Sequence, residues 1–471
     1  MLEVVIAAGA GPAPTQEPRP SISLIRFQTF VILVGGLLLA AATPECGYAK
    51  TLAAWVQLVG PGRDASIRVI VSSDSSCPIL AADGEPLAMQ VRAEPGPIFS
   101  EGKLPPRADF PVRVCEVTVP EGKKRVQLND KPLPLPGADI RRIVVFGDTG
   151  CRIKKHKKPQ DCDDADKWPY AKVAKHAAQA LPDLVIHVGD YLYRESCNVT
   201  ACDHTQTGYG WDVWQADFFT PSLPLFAVAP WIVVRGNHEN CSRAAEGWFR
   251  FLDHAHPEPS CAEMSPFFVA DLGGQSFVVM DSSAVAGVEG ADESANENDD
   301  DDDEAGPAPA NDLIEKIRSR YQSIAQSIPA HAWLLTHSPF YGVRRDKTTG
   351  EDKIDNAIEA EAVGKALSPN IEMITSGHIH MFEALTFGRS NSQWPPQLIV
   401  GTGGDKLAKK PTEPDQVFGV RVDNSLILKN FAYMIWDRDE ANWKGTLFDE
   451  DGAPLAHCHL SNRDLTCRTE H

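Results

Sequence analysis

Five short, mostly apolar segments in the C-terminal two thirds of the chain are each followed by glycine and by polar residues that can bind a metal. These segments, each with its following motif, are Ile143–Phe146 with GDTG, Leu184–Val188 with GDYLY, Trp231–Val234 with RGNHE, Trp333–Leu335 with THSP and Ile371–Ile374 with TSGHIH. Short apolar runs that are bounded by glycine and polar residues predict buried strands. In open α/β sheets, ligands bind at the carboxyl ends of such strands. The pattern therefore predicts that the five motifs converge at one edge of the fold.

Helical stretches separate some of these segments, for instance Tyr170–Ala180 and Leu313–Ser327, and the apolar runs Phe277–Met280 and Leu398–Val400 add further strands. This alternation is typical of the α/β class. We predict one α/β catalytic domain from residue 138 to residue 471. A run from 291 to 310 that is rich in carboxylates and ends in prolines interrupts the pattern and is interpreted as a flexible acidic insertion.

Residues 50–137 have a different pattern. Short β-rich runs such as Ala54–Val59 and Ser66–Val71 alternate there with glycine, proline and aspartate, and few helical periods occur. This pattern predicts a small β-sandwich domain ahead of the α/β domain. The segment Lys131–Gly137 (KPLPLPG) is predicted to be the linker between the two.

The N-terminal part of the chain carries an uncharged apolar run, Phe27–Ala42, after Arg19 and Arg26. A transmembrane helix needs about 20 apolar residues, whereas a shorter run that ends in small residues is typical of a secretory signal. We therefore expect residues 1–49 to be a signal peptide, with an uncleaved N-terminal anchor as the alternative. The expected location is periplasmic or secreted, and a membrane is a partner only if the segment stays uncleaved.

The eleven cysteines also favour export, because disulfides persist in oxidising compartments. Cleavage after Ala49 would remove Cys46 and leave an even ten. Connectivity does not follow from sequence, but pairing between close neighbours is a simple hypothesis. It gives the pairs Cys77/Cys115, Cys151/Cys162, Cys197/Cys202, Cys241/Cys261 and Cys458/Cys467.

Acidic residues outnumber basic residues by 64 to 45, which gives a net charge of −19 at pH 7. Such a balance repels phosphate backbones and argues against constitutive nucleic-acid binding. A small anion can still bind locally, through metal ions or a few placed donors. The acidic run at 291–310 also leaves open a different class of protein, a calcium-dependent adhesion protein.

The polar residues of the five motifs indicate the chemistry of the predicted site. Those with metal-binding side chains are Asp148, Asp190, Tyr193, Asn237, His337, His378 and His380. This oxygen and nitrogen set without thiolate suits iron, zinc or manganese better than calcium. Seven ligands suit two ions about 3.5–4 Å apart that share a carboxylate. Ordinary loop or capping roles are the structural alternative for these residues.

In this order, the motifs GDxG, GDxxY, GNHE, a lone histidine and GHxH resemble those of the calcineurin-like metallophosphoesterases. Tyr193, and Gly150 where many members have a histidine, make the chain similar to the purple acid phosphatase branch. The resemblance implies an α/β sandwich of two mixed β-sheets flanked by helices, commonly preceded by a β-sandwich domain. It also implies that His238, next to the ligand Asn237, reaches the substrate as the proton donor.

The resemblance further implies two ions. One would be held by Asp148, Asp190, Tyr193 and His380, and the other by Asp190, Asn237, His337 and His378. Asp190 would bridge them. A phenolate ligand favours Fe³⁺ at the first site, and Fe²⁺, Zn²⁺ and Mn²⁺ remain open at the second.

Together these features predict an exported phosphoesterase that acts on a small-molecule phosphate ester. Two cations lower the pKa of a bound water and clamp the phosphate oxygens, so that a metal-bound hydroxide attacks in line. His238 protonates or stabilises the leaving oxygen. A phosphomonoesterase is the first expectation, and a phosphodiesterase or nucleotide pyrophosphatase on the same metals is the alternative within the enzyme class. A catalytically silent metal-binding surface protein is the alternative outside that class.

Overall fold

The computed structural model describes residues 50–470 except for 103, 156–157, 197–205, 286–309, 347–348, 356–357, 365 and 388–393. The predicted signal peptide and nearly all of the acidic insertion therefore lie outside the described residues. The described part belongs to one compact unit, Tyr48–His471.

The described chain is mainly β-structure. Its strands are β1 (Thr51–Leu58), β2 (Ala65–Ser72), β3 (Ile79–Ala82), β4 (Glu85–Ala88), β5 (Gln90–Ala93), β6 (Val112–Thr118), β7 (Val126–Leu128), β8 (Lys131–Leu133), β9 (Arg142–Phe146), β10 (Leu184–His187), β11 (Trp231–Val233), β12 (Phe268–Leu272), β13 (Gln275–Val279), β14 (Ala332–Leu335), β15 (Val343–Arg345), β16 (Asp352–Ile354), β17 (Ile371–Ser376), β18 (Phe382–Phe387), β19 (Gln397–Val400), β20 (Gln416–Val417), β21 (Val420–Leu428), β22 (Ala432–Asp439), β23 (Asn442–Asp449), β24 (Pro454–Ser461) and β25 (Asp464–Thr469).

Helices are fewer and mostly short. They are α1 (Tyr170–Gln179), α2 (Trp211–Trp214), α3 (Thr220–Phe226), α4 (Ala245–Gly247) and α5 (Ala310–Ala325). Wider π-helical turns, Gln215–Phe219 and Trp248–Leu252, continue α2 and α4. A third π-helical turn spans Ala360–Gly364, and a short 3₁₀ turn spans Asn237–Glu239.

Two large sheets form the frame of the molecule. One has eleven strands in the order β25-β24-β23-β22-β9-β10-β11-β1-β2-β6-β5, and the other has eight in the order β12-β13-β14-β17-β19-β18-β21-β20. At the centre of the first sheet, β9, β10 and β11 run parallel. In the second sheet, β13, β14, β17 and β19 run parallel. Parallel neighbours bring their carboxyl ends to the same edge, which is where both sheets present their loops.

Strand periodicity explains how the layers stack. Along β9, Val145 lies in an apolar core shared with residues of the second sheet such as Trp333. Its neighbours Val144 and Phe146 point to the opposite face, where they pack against α1 residues such as Tyr170. Successive side chains of a strand face opposite sides, so a strand covered on both faces is apolar throughout. The second sheet is covered in the same way by α5, and the predicted α/β fold of two mixed sheets flanked by helices is confirmed.

The N-terminal segment is β-rich, as predicted, but its strands are shared between two sheets. Four of them, β1, β2, β5 and β6, extend the eleven-stranded sheet, while β3, β4, β7 and β8 form a separate four-stranded sheet. Strand β1 lies between β11 and β2, so sheet hydrogen bonding crosses the boundary that we predict at residue 137. The first residues of the predicted linker, Lys131–Leu133, form β8. The division of the chain into two domains at residue 137 stays a prediction.

Four of the five predicted cysteine pairs are confirmed as disulfides. They are Cys77–Cys115, Cys151–Cys162, Cys241–Cys261 and Cys458–Cys467. The fifth pair, Cys197 and Cys202, lies outside the described residues. Within the described ranges, no helix has the length and apolar character needed to cross a bilayer.

Candidate metal centre

The ends of six strands supply the side chains of one polar cluster between the two sheets. Strands β9, β10 and β11 of the first sheet and β14, β17 and β19 of the second lead into Asp148, Asp190, Tyr193, Asn237, His337, His378, His380 and Asp405. Backbone hydrogen bonds fix these loops to one another. The Asp148 N–H donates to Gly189 O at 2.9 Å, and the Asp405 N–H donates to Asp148 O at 2.9 Å, which ties the loop of the second sheet to that of the first.

One half of the cluster surrounds the hydroxyl of Tyr193. This hydroxyl lies 2.9 Å from Asp148 Oδ1, 2.7 Å from Asp190 Oδ2 and 3.1 Å from His380 Nε2. His380 Nε2 lies 3.3 Å from Asp148 Oδ1. Asp148, Asp190 and Tyr193 are almost completely buried. The four residues that the resemblance assigns to the first ion therefore meet at one point.

The other half surrounds the amide oxygen of Asn237. Asn237 Oδ1 lies 3.0 Å from His337 Nε2 and 3.1 Å from His378 Nδ1. His337 Nε2 also lies 3.2 Å from Asp190 Oδ2. Asp190, His337 and His378 offer ligand atoms that all lie within 4.8 Å of one another. Because Asp190 Oδ2 contacts both Tyr193 and His337, this carboxylate lies between the two halves.

The contacts of the histidine ring nitrogens show whether the cluster can bind cations. His337 places Nδ1 2.8 Å from Val188 O and Nε2 beside Asp190. His380 places Nδ1 2.9 Å from Asp405 Oδ2 and Nε2 beside Asp148. A neutral imidazole has only one N–H, so a ring flanked by oxygen acceptors on both sides needs a second proton or a metal ion. The residues present fit metal ions, since each ring turns one nitrogen into the cluster and has the other held by an oxygen, as metal-bound histidines do.

Donor spacing agrees with this interpretation. Ligand atoms bound to one ion at about 2.1 Å lie about 3 Å apart at neighbouring corners of the coordination polyhedron. The separations of 3.0 and 3.2 Å from His337 Nε2 to the oxygens of Asn237 and Asp190 have this size. The chemistry of the set, with carboxylates, imidazoles, an amide and a phenol but no thiolate, suits iron, zinc or manganese.

The groups of the cluster strongly shift one another's pKa values. Burial alone would lower the pKa of His337, but the carboxylate of Asp190 raises it to about 10. Burial would raise the pKa of Asp190, yet the charges of His337 and His238 hold it well below its usual range. Burial, together with Asp148 and Asp190, raises the pKa of Tyr193 well above that of a free phenol. A phenolate at this position therefore requires a strongly charged ion beside its oxygen.

Glycine is needed where the loops of the cluster touch. A Cβ on Gly236 would lie 2.0 Å from Asp190 Oδ1, and a Cβ on Gly377 would lie 2.4 Å from Asp148 Oδ2. Any side chain at either position would displace a carboxylate of the cluster. The glycines of the GNHE and GHxH motifs are thus explained by the close approach of the backbone to these oxygens.

His238 lies beside the cluster but is oriented by other contacts. Its backbone N–H donates to Asp190 Oδ1 at 3.0 Å, and its ring centre lies 4.1 Å from that of Tyr193. Its Nδ1 lies 2.9 Å from Glu195 Oε1, and Arg243 Nη1 lies 3.5 Å from the same oxygen. Burial lowers the pKa of His238 below its ordinary value. Since Nδ1 faces a carboxylate, Nε2 is the nitrogen left to face a reactant.

Several residues that contact the cluster were not identified from the sequence. Asp405 contacts His380 and forms an ion pair with Arg152. Burial would raise the pKa of Asp405, but Arg152 and His380 lower it below its usual range. Asp355 Oδ2 lies 3.3 Å from His378 Nε2. Asp405 follows Leu398–Val400 in the sequence GTGGD, so the same rule of a polar residue after a strand could have found it.

The chain resembles one known protein family in sequence. The sequence profile of the family described as calcineurin-like phosphoesterase matches residues 141–382, which include all eight residues predicted for the site but not Asp405. No curated protein matches the chain by sequence.

Among solved structures, a purple acid phosphatase from yellow lupin (Lupinus luteus) seeds superposes with a TM-score of 0.56 at 14% identity. The match covers 89% of this chain and 74% of the lupin chain. A structure of PhoD superposes with a TM-score of 0.48 at 12% identity, covering 90% of this chain and 93% of the other. The match to the lupin enzyme shows that the two proteins share the two-sheet fold. Because the family profile spans more than half of the chain, this protein belongs to the calcineurin-like phosphoesterase family of metal-dependent phosphoric ester hydrolases.

Proposed function

We propose that the protein is an exported phosphomonoesterase of the purple acid phosphatase type that works with two metal ions. The observation that carries the proposal is the position of Asp190 Oδ2, 2.7 Å from the Tyr193 hydroxyl on one side and 3.2 Å from His337 Nε2 on the other. One carboxylate shared between a phenol-containing set and a histidine-containing set is the arrangement that two neighbouring ions need.

Residues of both sheets would hold the ions. Asp148, Asp190, Tyr193 and His380 would bind Fe³⁺, and Asp190, Asn237, His337 and His378 would bind Fe²⁺, Zn²⁺ or Mn²⁺. When bound, two such ions activate a water molecule and neutralise charge on the phosphoryl oxygens.

The other groups of the site orient the histidine rings and position the proton of His238. Asp405, Val188 O and Asp355 hold the outer nitrogens of His380, His337 and His378, which fixes the direction of each ring. Glu195 accepts a hydrogen bond from Nδ1 of His238 and favours the imidazolium form of the ring, whose second proton, on Nε2, points toward the leaving oxygen of the ester. This His238 proton stabilises the alkoxide as the P–O bond breaks.

Four disulfides support export, because such bonds persist in oxidising compartments. The proposed substrate is a small-molecule phosphate monoester. Hydrolysis rates for matched monoester and diester substrates would decide between a phosphomonoesterase and a phosphodiesterase on the same ions.

The test of the metal assignment is the metal content and visible absorption spectrum of the purified protein, with Tyr193→Phe as the variant. We expect about two metal ions per chain and a broad visible band that Tyr193→Phe abolishes. Tyr191→Phe is the matched control, because the hydroxyl of Tyr191 is also buried but donates to Val234 O at 2.9 Å, away from the cluster. Two metals without the band would exclude the ferric phenolate, and a protein that neither contains nor takes up metal would exclude the proposed mechanism.

A further inference from the structure

Cations are concentrated beside the candidate metal centre, although the whole chain carries a net charge of −19. Two loops border the centre. The first, residues 151–155, contains Arg152, Lys154 and Lys155 but no acidic residue, and the second follows Asp405 with three lysines within five residues. The three lysines of the second loop are Lys406, Lys409 and Lys410, and all are exposed.

Backbone hydrogen bonds tie both loops to segments that carry candidate ligands. The Ile153 N–H donates to Tyr193 O at 2.9 Å, and the Glu195 N–H donates back to Ile153 O at 3.0 Å. On the other side, the Ala408 N–H donates to His380 O at 3.1 Å. The basic loops therefore form the border of the site itself.

Two cations interact with Glu195, the partner of His238: Lys154 of the first loop, and Arg243, which belongs to neither loop. Both face Glu195, whose Oε1 is 2.9 Å from His238 Nδ1 and 3.5 Å from Arg243 Nη1. The charged groups that face Lys154 are Glu195, Arg152, Arg243 and Asp405. Asp405 is already engaged by Arg152 and His380, and Glu195 is shared between His238 and Arg243.

Lys154 thus lacks an anion of its own. It is half-buried, and among the described residues it has no hydrogen-bond or ion-pair partner. A partly desolvated ammonium without a partner is costly, and burial lowers its pKa. An anion supplied by a ligand would remove that cost.

We propose that Lys154 and Arg243 bind a second anionic group on the substrate, located on the leaving group of the ester. This inference rests on the proposed function, in which His238 faces the leaving oxygen, since both cations are grouped around the same Glu195 that holds His238. The substrate class is a phosphate ester whose alcohol portion carries a phosphate or a carboxylate. Exposed lysines on the second loop add a positive field that attracts such multiply charged anions.

The experiment compares two isosteric substrates, 4-carboxyphenyl phosphate and 4-carbamoylphenyl phosphate, on the metal-loaded full-length protein. The measured quantity is the ratio of kcat/KM for the carboxylate to kcat/KM for the carboxamide. We expect the Lys154→Gln variant to lower this ratio about five- to tenfold, the size of one charge-assisted contact. Added salt should lower the ratio of the unmodified protein in the same direction, because part of the interaction is exposed to solvent.

Lys131→Gln is the matched control, since Lys131 is an exposed lysine of strand β8 on the separate four-stranded sheet. It should leave the ratio unchanged. A ratio that is the same in Lys154→Gln and in the unmodified protein would overturn the inference, and so would an equal drop in Lys131→Gln. Hydrolysis of the carboxamide alone would overturn the inference but keep the proposed function, whereas hydrolysis of neither substrate would overturn both.

A bisphosphate, 1,4-phenylene bisphosphate, distinguishes the two sources of the anion. A larger effect of Lys154→Gln on the bisphosphate than on the carboxylate would identify phosphate as the second group. The reverse order would identify a carboxylate. Either order supports the inference.

Discussion

Three residues of the candidate metal centre adopt a backbone conformation that side chains normally disfavour. Asp148, Asp190 and His378 have φ values of 57°, 58° and 69°. The left-handed region costs roughly 1–2 kcal/mol for a residue with a Cβ. Each of the three directly follows a glycine, close to the end of a strand. Strain of this kind is concentrated at functional sites, where the surrounding structure holds it in place.

Glu195 offers a residue-scale test of how His238 works. Glu195→Gln keeps the shape of the side chain but removes the charge that lies 2.9 Å from His238 Nδ1. We expect kcat to fall by about tenfold or more for an alkyl phosphate, whose leaving group needs protonation, and much less for an aryl phosphate. Leaving-group dependence of kcat is the measurement.

The matched control for this prediction is Glu246→Gln, a buried glutamate that accepts the Ile98 N–H at 3.0 Å. It should not change the dependence on the leaving group. Equal losses for both substrates in Glu195→Gln would show that the carboxylate supports the structure of the site rather than proton donation.

Asp405 offers a second test, of metal binding. Asp405→Asn replaces the carboxylate that lies 2.9 Å from His380 Nδ1, and outer partners of this kind are worth about 10- to 100-fold in metal affinity. We expect the dissociation constant of the ion held by His380, measured by chelator competition, to rise by that factor. Asp437→Asn, which affects a half-exposed ion pair with Arg142, should leave metal affinity unchanged. An unchanged metal affinity in Asp405→Asn would show that this carboxylate does not contribute to metal binding.

At the scale of elements, the site depends on loops that strands and disulfides hold in place. Parallel strands of two different sheets end at the same edge, so that loops from both supply the side chains. Loop 151–162 is closed by the disulfide Cys151–Cys162, and it carries Arg152 and Lys154. The disulfide thus restricts a loop whose side chains contact Asp405 and face Glu195.

The double variant Cys151→Ser, Cys162→Ser tests this arrangement. Loop closure over about ten residues predicts a loss of about 3 kcal/mol in the free energy of unfolding. We also expect a lower kcat/KM, because Arg152 and Lys154 lose their fixed positions. Urea unfolding and steady-state kinetics are the measurements.

Cys458→Ser with Cys467→Ser is the matched control. This pair joins β24 to the edge strand β25, and its sequence separation of 9 is close to the 11 of the first pair. We expect a comparable loss of stability without a kinetic effect. Equal kinetic losses in both double variants would indicate a global effect of disulfide removal.

At the scale of the whole molecule, the N-terminal strands β1 and β2 pack against residues of the predicted catalytic domain. Trp55 of β1 is fully buried, with its ring centre 5.3 Å from that of Phe219 and 5.7 Å from that of Phe226. The buried guanidinium of Arg68 donates to the carbonyl oxygens of Phe251 and Asp253. These contacts cross the domain boundary that we predict from the sequence at residue 137.

We therefore expect residues 138–471, expressed alone, to be poorly soluble and to unfold without a cooperative transition. Removal of β1 would expose the edge of β11 and the apolar ring cluster, and an unpaired apolar edge promotes aggregation. Thermal unfolding of 138–471 and of 50–471, followed by circular dichroism, is the measurement. Cooperative unfolding of 138–471 would instead support two independent domains.

Much of the candidate site could be predicted from local sequence. Each motif directly follows its own strand, so that periodicity and one glycine locate Asp148, Asp190, Asn237 and His378 without knowledge of their neighbours. The α/β class follows from the same local signals, because strands buried on both faces are apolar along their length. Cysteine pairing between close neighbours was predictable for a similar reason, since short loops close at a small entropic cost.

Other features depended on contacts between distant parts of the chain. Asp405 meets Arg152 across 253 residues, and Arg152 meets His380 across 228. Neither contact has a local signature, because periodicity reports which face of an element is buried and not which partner covers it. For the same reason, the pattern of residues 50–137 predicted β-strands correctly but did not show that β1 pairs with β11.

The amino-acid sequence by itself determined the strands, the turns after them and the types of ligand that those turns present. Only the tertiary structure decided which ligands share Asp190, which oxygens orient the histidines and which cations border His238. The physical reason is that strand and turn propensities act over a few neighbouring residues, whereas the pairing of sheets is set by burying a common apolar core between segments far apart in the chain.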